Sequence, residues 1–585
     1  MDSNETSNKR MEKGMKVLGI SCFYHDSAVV AVEDGQILFA IHEERLSRHK
    51  HDARFPILGV SKALEACRWS INDVDKIVFY ENPNIKLGRI FDQVVSGWPS
   101  SWRLFSEHLP RFYRFKFPFE RIVRDKLRYK NEVLFSEHHR CHAGSAFFTS
   151  PFEKALIMTV DGVGEYETLT AYIGQGNHLK KIKTIHFPDS LGLLYSVFTQ
   201  YLGFRVNNGE YKVMGLAPYG QPQYYGRILG EILHLRKDGS FYLNQKYFDF
   251  NDLRFHYRES LVKHLGVLPR SKDEPIEVKH KDLAASIQKA LETALLHILK
   301  TLLKDYPYKN LCLAGGVALN CTANTRIVRE LGINVHIQPA AGDAGGALGA
   351  AFEGVIDSIT QVPYRFPFSP YLGTEYSDKA IQATLAINGV PHQRMSNIYE
   401  TVARLLAEGN IVAVVHGRDE WGPRALGNRS ILADPRRAEM KDHLNAKIKF
   451  REDFRPFAPV IMREHYGDYF ETLNLDESPY MLFTHKVLQS DKIPAATHVN
   501  KTGRVQTVSV EQNSCLYSIL EEFYKLTGVP VLINTSFNLR GEPIVSSPSD
   551  ALKTFYASGI DFLVLENYLV EKAIAHNKRV EIVKC

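Results

Sequence analysis

The stretch of sequence that decides the fold lies near the start of the chain and reads Lys16-Val-Leu-Gly-Ile-Ser-Cys-Phe-Tyr-His25-Asp26-Ser-Ala-Val-Val-Ala-Val-Glu-Asp34-Gly35. Apolar runs rich in β-branched residues and bounded by turn residues form strands, so it predicts a strand, a polar turn and a second strand. The Asp34-Gly35 pair predicts a hairpin into a third strand, Ile37-Leu-Phe-Ala-Ile. The stretch therefore predicts three consecutive strands joined by short turns.

The same plan returns in residues 155–185. An apolar strand ends at Asp161-Gly162, a second strand contains Leu169-Thr-Ala-Tyr-Ile, and a Gly-Gln-Gly turn leads into a third strand. Two such units joined by helices are typical of the duplicated ribonuclease-H-like fold of actin, Hsp70 and the sugar kinases. Those proteins are α/β proteins that bind a nucleotide in the cleft between their two halves.

A glycine pair marks a candidate nucleotide contact in this half. The segment Asn310-Leu-Cys-Leu-Ala-Gly315-Gly316-Val-Ala-Leu-Asn320 predicts a strand, a tight turn and the start of a helix. Glycines at such a turn allow backbone N–H groups to approach a phosphate or ribose. An ordinary tight turn without a ligand is the alternative.

A proline-punctuated segment, residues 361–377, predicts a boundary between two domains. A chain of 585 residues is too long for one hydrophobic core. Pro363, Pro367, Pro370 and Gly373 interrupt any regular element here. We therefore predict a disordered tail over residues 1–14, an N-terminal domain over 15–360, a linker over 361–377 and a C-terminal domain over 378–585.

Two histidines four residues apart, His138 and His142, lie where a helix is predicted to begin. Ser136 is a suitable N-cap and Glu137 suits a first turn, while Ser150-Pro151 ends the run. Side chains at i and i+4 share one helical face, which can clamp a metal ion. A solvated or hydrogen-bonded pair without metal is the alternative, because the chain has 23 histidines.

Two aspartates strengthen the metal interpretation. Asp161 ends an apolar strand and Asp343 follows another strand in a glycine-rich loop. Open α/β sheets place ligands at the carboxyl ends of their strands. Two histidines and two aspartates would form a mixed nitrogen and oxygen site, suited to iron, manganese or zinc.

Composition excludes several classes of protein. No segment reaches the roughly 18 consecutive apolar residues of a transmembrane helix, and the polar start lacks a signal peptide's apolar region. The seven cysteines form no C-x-x-C pair, which favours a cytoplasmic protein and argues against a cysteine zinc ribbon. The net charge of +6 is small for this length, so we expect no nucleic-acid partner.

Residues 111–130 form one local basic and aromatic segment. It holds eight Lys and Arg against two acids, interleaved with four Phe and a Tyr between residues 112 and 119. Such a segment is typical of contact with an anionic or lipid-linked partner. The alternative is a solvated helix face whose aromatic residues enter the core.

The C-terminal domain is rich in arginine at predicted turns. Residues 417–455 contain ten Lys and Arg beside seven acids, and Gly503-Arg504 and Asn534-Thr-Ser536 follow further on. Guanidinium forks, a lysine and hydroxyl or amide groups at strand ends are what a bound phosphate needs. A salt-bridged surface is the alternative.

Over nearly its whole length the chain resembles the carbamoyltransferases of nodulation-factor and antibiotic biosynthesis. The motifs that carry the resemblance are long and occur in the same order. They are Tyr24-His-Asp-Ser-Ala28, Glu43-Glu-Arg45, Glu137-His-His-x-x-His142-Ala, Gly209-Glu-Tyr-Lys-Val-Met-Gly-Leu-Ala-Pro-Tyr-Gly220, Gly315-Gly-Val-Ala-Leu-Asn320, Trp421-Gly-Pro-Arg-Ala-Leu-Gly427 and Phe454-Arg-Pro-Phe-Ala-Pro459.

The resemblance implies two domains with separate chemistry. The N-terminal domain would be similar to the universal tRNA threonylcarbamoyladenosine transferase, and the C-terminal domain to YrdC, also an α/β domain. The C-terminal domain would make carbamoyl-adenylate and pyrophosphate from carbamoyl phosphate and ATP, with Mg²⁺ accompanying ATP. The N-terminal domain would pass the carbamoyl group to a hydroxyl at an iron(II) site.

The resemblance also implies the roles of particular residues. His25 matches a general base for the acceptor hydroxyl, a role that suits an imidazole. Metal ligands are matched by His138, His142, Asp161 and Asp343. Adenylate-binding positions are matched by Lys50, Lys212, Gly315, Gly316 and Asn320, and carbamoyl phosphate and ATP positions by Arg424, Lys449, Arg455, Arg504, Asn534 and Ser536.

The acceptor is the least determined part of the function. Cys22-Phe23-Tyr24 supplies no carboxylate to grip an amino sugar, so a hydroxyl on a polysaccharide, glycolipid or other secondary metabolite fits better than an aminoglycoside. The resemblance leaves a homodimer open.

Other functions remain as alternatives. An ATP-dependent kinase or ATPase would share the duplicated fold but gives no reason for the basic C-terminal domain. A threonylcarbamoyl-type tRNA-modifying transferase is a further alternative. A hydrogenase-maturation enzyme would need cysteine zinc motifs, and a binding scaffold would leave the phosphate-type residues unexplained.

Overall fold

The structure, a computed structural model, describes residues 14–251, 256–358, 368–449 and 451–572. Residues 1–13 of the predicted tail and residues 361–367 of the predicted linker lie outside the described residues. The cysteines of the described part, six in number, are free thiols. Across the described ranges no helix is both long enough and apolar enough to cross a bilayer.

Two five-stranded sheets built on one plan form the N-terminal half. In each sheet three consecutive strands pair antiparallel, and two later strands extend the sheet in parallel from the first of the three. This repetition confirms the predicted duplicated ribonuclease-H-like fold. The order across the first sheet is Gln36–His42, Ala28–Glu33, Lys16–Ser21, Lys76–Phe79 and Glu132–Phe135, and across the second His178–His186, Glu167–Gln175, Lys154–Val160, Asn310–Ala314 and Asn334–His336.

Two helices, His138–Phe147 and Asp343–Val355, lie between these sheets and pack on each other. Glycines make the close approach feasible. A Cβ on Gly349 would lie 1.8 Å from the carbonyl oxygen of Cys141, and one on Gly19 would lie 1.9 Å from that of Ala347. The first turns of both helices are therefore fixed relative to the ends of the central strands.

The C-terminal half is built on one mixed sheet of eight strands. Helices Ile398–Ala407 and Ser514–Thr527 cover one face, and helices Asp378–Ile387 and Pro548–Tyr556 cover the other. This is the α/β architecture expected of the C-terminal domain. The order across the sheet is Gln393–Arg394, Tyr568–Glu571, Phe562–Leu565, Val412–Val415, Arg429–Ala433, Val531–Ser536, Ala458–Met462 and Gln506–Val508.

The remaining elements are short strand pairs and connecting helices. The pairs are Leu233–Leu235 with Phe241–Leu243, and His485–Lys486 with Thr502–Gly503. The α-helices of five or more residues not yet named are Glu43–Ser47, Ile57–Cys67, Pro83–Ser96, Leu109–Phe115, Phe119–Leu127, Leu191–Tyr201, Glu210–Leu216, Glu259–Leu265, Val278–Asp305, Cys321–Leu331 and Met440–Leu444.

The described part of the predicted linker, residues 368–377, packs against both halves of the chain. Phe368 and Leu372 are buried in the core of the first sheet together with Trp421 of the C-terminal half. The amide of Ala40 also donates to the carbonyl of Leu372 at 3.0 Å. The two halves are therefore joined through a packed apolar contact at this point.

A buried ion pair joins the halves at the same contact. The guanidinium of Arg45 donates to the carbonyl oxygens of Glu420 at 3.3 Å and Gly422 at 3.2 Å, and lies 3.8 Å from the Glu420 carboxylate. The other oxygen of that carboxylate accepts backbone N–H groups within 3.0 Å from Leu426, Asn428 and Arg429. Arg45 thus holds the loop that carries Arg424.

We expect Arg45→Ala to destabilise the contact between the halves. The substitution leaves the Glu420 carboxylate, which is fully buried, without its cation. Breaking a buried pair in this way costs about 3–5 kcal/mol. The melting temperature should fall by several degrees, whereas Arg121→Ala, which removes an 81% exposed arginine whose partner Asp125 is 70% exposed, should change stability by less than about 1 kcal/mol. Equal melting temperatures for the two variants would contradict this account of the contact.

Candidate active site

A compact cluster of four predicted ligands lies where the two N-terminal sheets meet. Ligand atoms of His138, His142, Asp161 and Asp343 all lie within 4.8 Å of one another. The Nε2 atoms of the two histidines are 3.0 Å apart, and Oδ2 of Asp161 lies 3.0 Å and 3.3 Å from them. Oδ1 of Asp343 is 3.8 Å and 3.7 Å from the same nitrogens. The structure therefore brings together the four residues that were predicted to form one mixed metal site.

Local structure explains the placement of the histidines. The helix begins at His138, and its N-cap is Glu137 rather than the predicted Ser136. Ser136 instead prolongs the strand pairing, because its amide donates to the carbonyl of Phe79 at 3.0 Å. His138 packs against the ring of Tyr80, and a Cβ on Gly164 would lie 2.8 Å from its imidazole. The imidazole is thus confined to one position.

A carboxylate that sequence reasoning missed supports this helix from behind. Glu165 is buried and accepts the amide of His138 at 3.0 Å and the amide of Asn82 at 2.7 Å. Acidic groups at a helix N-terminus satisfy its free N–H groups. Glu165 lies four residues beyond Asp161, and this proximity is the sequence feature that could have suggested a role for it beside the cluster.

Charges in the cluster balance in a way that suits a cation. Burial alone would lower the pKa of His142, but its contacts with Asp161 and Asp343 outweigh burial and raise that pKa to about 9. Burial opposes ionisation of Asp161 too, yet hydrogen bonds from His138 and His142 bring its pKa well below the usual range. Both carboxylates therefore draw positive charge to the point where the four side chains converge.

The donor set fits a divalent metal ion. Two imidazole nitrogens and two carboxylates are the mixed ligands that iron, manganese and zinc accept. Within the described part of the chain, Oδ2 of Asp343 is buried without a hydrogen-bond partner, and so are the Nδ1 atoms of His138 and His142. A cation shared by these four groups would compensate their burial.

His25 lies at the edge of the cluster and is held by a carboxylate. Its Nδ1 is 2.9 Å from Asp26, and its Nε2 faces Asp343 at 3.8 Å. His51 contacts the other oxygen of Asp26 at 2.7 Å. Burial lowers the pKa of His25, but Asp343 and Asp26 outweigh burial and raise it to about 9. Asp26 and His51 thus orient the predicted base, although no sequence pattern pointed to either residue.

The predicted nucleotide turn adjoins the cluster. Gly315 has a left-handed φ of 89°, and a Cβ there would lie 2.2 Å from the carbonyl oxygen of Val160, so a larger residue would clash. The amide of Gly316 donates to Asp161 at 3.4 Å. Asn320 caps the next helix and exchanges hydrogen bonds with Gln288 at 3.0 Å. Its side chain is therefore engaged in holding the turn.

A cavity of about 340 Å³ lies between the N-terminal and C-terminal halves. Its C-terminal wall carries four arginines, of which three were predicted. The N-terminal wall comes from the Glu210–Leu216 and Cys321–Leu331 helices. The charged and hydroxyl-bearing lining residues include Arg424, Arg451, Arg455, Arg504, Asn534, Ser536, Tyr211 and Thr322.

The guanidinium groups of Arg424 and Arg504 in this cavity have the features of an anion-binding pair. The Nε atoms of Arg424 and Arg504 are buried and have no hydrogen-bond partner among the described residues. Burial and the neighbouring Arg504 lower the pKa of Arg424 to about 9, which shows that bringing these positive charges together costs free energy. A bound phosphate would offset that cost through charge-assisted hydrogen bonds.

Lys449 approaches the same strand end from the side. Its ammonium donates to the carbonyl of Ser536 and, at 3.1 Å, to the carbonyl of Asn538. Burial lowers the pKa of Lys449 well below its usual value. Asn534 donates to Gln506 at 2.7 Å, while its own buried Oδ1 has no partner. These predicted residues therefore converge at the carboxyl end of the Val531–Ser536 strand.

Two predicted lysines connect the halves of the chain. Lys212 pairs with Glu452 at 2.7 Å, and Arg455 lies 3.6 Å from the same carboxylate. Lys50 is exposed, and its ammonium meets the carbonyl of Glu542 at 3.4 Å. Both lysines reach from the N-terminal half onto the C-terminal half.

Arg451 and Tyr211 are cavity residues that the sequence-based list of sites did not include. Arg451 stacks on Phe457 at 4.3 Å, and Arg455 stacks on Tyr211 at 4.7 Å. Both lie in segments from which site residues were predicted, but the sequence of those segments does not distinguish them from the other cationic and aromatic residues there. Only the fold selects those that face the cavity.

The fold and the two sites define a two-part α/β protein with a metal-type cluster in one half and an anion-type cavity at the contact with the other. Comparison with known proteins gives its family. The family model described as Carbamoyltransferase N-terminus matches residues 16–352, and the one described as Carbamoyltransferase C-terminus matches residues 403–572. The chain belongs to the carbamoyltransferase family, which confirms the resemblance, and it is therefore an enzyme of carbamoyl transfer.

Individual relatives match along most of their length. An uncharacterized protein, sll1178, of Synechocystis is 42% identical, over 95% of this chain and 96% of its own. The nodulation protein NolNO of Sinorhizobium fredii is 39% identical, over 94% of this chain and 80% of its own. The 3′-hydroxymethylcephem-O-carbamoyltransferase of Amycolatopsis lactamdurans is 29% identical, over 94% of this chain and 98% of its own.

Proposed function

We propose that this protein is an O-carbamoyltransferase with two linked half-reactions. The cavity between the halves would convert carbamoyl phosphate and ATP into carbamoyl-adenylate, and the His25 side of the N-terminal half would pass the carbamoyl group to a hydroxyl. The observation that carries the proposal is the pair of buried guanidinium groups, Arg424 and Arg504, whose Nε atoms lack a partner in a cavity shared by both halves.

The first half-reaction needs an oxygen nucleophile for the α-phosphorus of ATP. Carbamoyl phosphate has no free carboxylate oxygen until its phosphate is removed by water, which leaves carbamate and inorganic phosphate. A carbamate oxygen then attacks the α-phosphorus, and pyrophosphate leaves. Arg424, Arg455 and Arg504 would hold the anionic groups, while Lys449 and Ser536 would position them at the strand end.

The second half-reaction transfers the carbamoyl group to an alcohol. The hydroxyl oxygen attacks the carbamoyl carbon, and AMP leaves with the electrons of the carbon–oxygen bond. Nε2 of His25 would accept the hydroxyl proton, since Asp26 engages Nδ1 at 2.9 Å. A cation held by Asp343 would offset the carboxylate that raises the pKa of His25, and would so favour the neutral imidazole that a base requires. Gly315 and Gly316, which carry no side chains, would let the adenylate lie close to the backbone of this turn.

The cluster of His138, His142, Asp161 and Asp343 would hold the metal, which we propose to be iron(II). A bound divalent ion would polarise a carbonyl or phosphoryl oxygen and stabilise negative charge as it develops. Two neutral imidazoles and two carboxylates carry a total charge of −2, which would balance the charge of a bound divalent ion.

We propose that the acceptor is a hydroxyl of a sugar or secondary metabolite. The cephem relative carries the words hydroxymethyl and O-carbamoyltransferase in its name, so its group acceptor is an alcohol. Beside His25, Tyr24 is half exposed and its hydroxyl accepts a hydrogen bond from Asn207 at 3.4 Å. These neutral side chains suit a neutral alcohol better than a cationic amine.

A shared cavity also protects the intermediate. Carbamoyl-adenylate is a mixed anhydride, and water would hydrolyse it if it left the protein. Walls contributed by both halves of the chain restrict that loss. A cytoplasmic location, which fits the six free thiols of the described residues, would supply ATP directly.

Analysis of the nucleotide products tests this proposal. The protein is incubated with ATP, with and without carbamoyl phosphate, and the products are separated by chromatography. We expect pyrophosphate, together with carbamoyl-adenylate and the AMP that forms when water hydrolyses it, only when carbamoyl phosphate is present. Formation of ADP that does not depend on carbamoyl phosphate would instead identify a kinase or ATPase and overturn the proposal.

A further inference from the structure

A helical excursion between two strands of the first sheet exposes an unusual number of aromatic side chains. It connects the strands Lys76–Phe79 and Glu132–Phe135. Nine of the twenty exposed large apolar side chains of the described residues lie between residues 85 and 117 of this excursion. We call the following residues the aromatic patch: Phe91, Val95, Trp98, Trp102, Phe105, Tyr113, Phe115 and Phe117.

The aromatic patch is held outward by a small core of its own. Ile90, Val94, Leu104, Leu109 and Phe112 are buried together beneath it, as a cluster separate from the main cores. The patch residues also stack along the surface, with ring centroids of the two tryptophans 5.9 Å apart and those of Tyr113 and Phe117 5.3 Å apart. The outward rings thus rest on an ordered support.

Basic residues accompany the aromatic patch. Residues 83–130 contain eleven Lys and Arg against four Asp and Glu, a net charge of +7 in a chain whose total is +6. Lys86 and Lys116 turn inward and pair with the buried Glu81. Arg111 and Arg114 remain exposed beside the patch. The net positive charge of the whole chain is therefore concentrated in this excursion.

We propose that the aromatic patch binds the surface of an anionic lipid bilayer. Tryptophan, tyrosine and phenylalanine beside arginine are the residues that insert at the boundary between lipid headgroups and acyl chains. Exposed arginines add attraction to anionic headgroups, which screening by salt weakens. Eight exposed apolar side chains on one excursion are costly in water. The positive charge beside them favours an anionic bilayer as the surface that covers them.

The aromatic patch continues to the loop that carries His25. The ring of Phe115 lies 5.9 Å from that of Phe23, and the ammonium groups of Lys86 and Lys116 lie 5.8 Å from the ring of Tyr24. A chain docked through the patch would therefore present this loop near the bilayer surface. Bilayer binding can be measured without turnover, so the inference stands apart from the proposed function.

Vesicle binding tests the inference. The full chain is sedimented with vesicles of mixed phosphatidylcholine and phosphatidylglycerol, and with vesicles of phosphatidylcholine alone. We expect clear binding to the anionic vesicles, weakened by salt. Tryptophan emission should shift to shorter wavelength on binding, because Trp98 and Trp102 are more than half exposed whereas Trp69 and Trp421 are buried.

Matched variants complete the test. Trp98→Ser with Trp102→Ser, and separately Arg111→Gln with Arg114→Gln, should each weaken vesicle binding by about tenfold or more. Leu488→Ser with Val510→Ser removes apolar side chains of equal 51% exposure elsewhere and should bind as the original chain does. Thermal melts would exclude misfolding as the cause.

Three results would overturn the inference. The first is equal binding to neutral and anionic vesicles, and the second is binding that neither patch variant changes. The third is a dimer, seen by light scattering, that becomes a monomer in the tryptophan variant while vesicle binding stays the same. The last result would assign the aromatic patch to a second copy of this chain.

Discussion

Replacing Arg424 with alanine is expected to lower carbamoyl-phosphate-dependent pyrophosphate release by about 10- to 150-fold. The substitution removes a charge-assisted contact to phosphate, worth about 1.5–3 kcal/mol. Lys449→Ala should lower the same rate, because it removes the ammonium at the Ser536 strand end. The measurement is pyrophosphate release with and without carbamoyl phosphate. Arg463→Ala, which removes a 52% exposed arginine of the same half, is the control and should retain the rate.

The same variants separate the two half-reactions. Arg424→Ala and Lys449→Ala should still transfer carbamoyl from supplied carbamoyl-adenylate to an alcohol. His25→Ala should behave in the opposite way. It should form carbamoyl-adenylate but transfer the carbamoyl group about 10²- to 10⁴-fold more slowly, because the general base is missing. If both kinds of variant fail at one and the same half-reaction, the chain has a single active site and the two-site account is wrong.

Loss of the histidine pair is expected to abolish metal binding. The purified chain should hold about one divalent ion, as expected of a site with a single four-residue ligand set. His138→Ala with His142→Ala removes both nitrogen donors and leaves two carboxylates. Even indirect supporting contacts are worth about 10- to 100-fold in metal affinity, so loss of two ligands should cost more than about 100-fold. Metal content by mass spectrometry and anaerobic titration would measure the effect.

A neighbouring histidine supplies the control for the metal experiment. His139 lies on the same helix and is equally buried, but its ring contacts Thr159 at 2.6 Å and the carbonyl of Glu167 at 3.0 Å instead of the cluster. His139→Gln should keep the metal. Asp343→Asn nearly preserves the size of that side chain and should weaken metal binding without unfolding the chain. Full metal occupancy in the double histidine variant would show that the four residues are not the ligands.

Local patterns were sufficient to predict the N-terminal fold and the members of the metal-type cluster. The apolar run ending in Asp161 placed that carboxylate at a strand end, and the i, i+4 spacing placed His138 and His142 on one helical face. Asp343, predicted in a loop after a strand, is instead the first residue of the next helix. These relations depend on the geometry of a single strand or helix. Their convergence follows once the two sheets adopt the duplicated plan.

Long-range contacts could not be predicted in the same way. Arg45 and Glu420 lie 375 positions apart, and nothing in either local sequence selects the other as partner. Asp26 and His51 were likewise not selected, because a hydrogen bond between turns has no periodic signature. The predicted helix start was displaced because Ser136 pairs with the neighbouring strand instead of capping the helix.

The basic and aromatic segment shows where periodicity fails. For residues 111–130 the interpretation as a helix face with aromatic residues in the core holds for Phe112 and Phe119, which are buried. Tyr113, Phe115 and Phe117 are instead more than 40% exposed. Sequence spacing gives the face of a helix but not what covers that face, so only the fold reveals the aromatic patch.

The central claim, that one chain makes an adenylate in one place and consumes it in another, is tested most directly by trapping the intermediate. His25→Ala protein is mixed with ATP and with carbamoyl phosphate labelled with ¹³C at its carbonyl carbon, in the absence of an acceptor. The nucleotide bound to the protein is then identified by mass spectrometry. We predict labelled carbamoyl-adenylate, none when carbamoyl phosphate is omitted, and about tenfold less or lower when Arg424 is also replaced by alanine. Recovery of ADP, or of unlabelled nucleotides alone with no labelled carbamoyl-adenylate at any time point, would contradict the account.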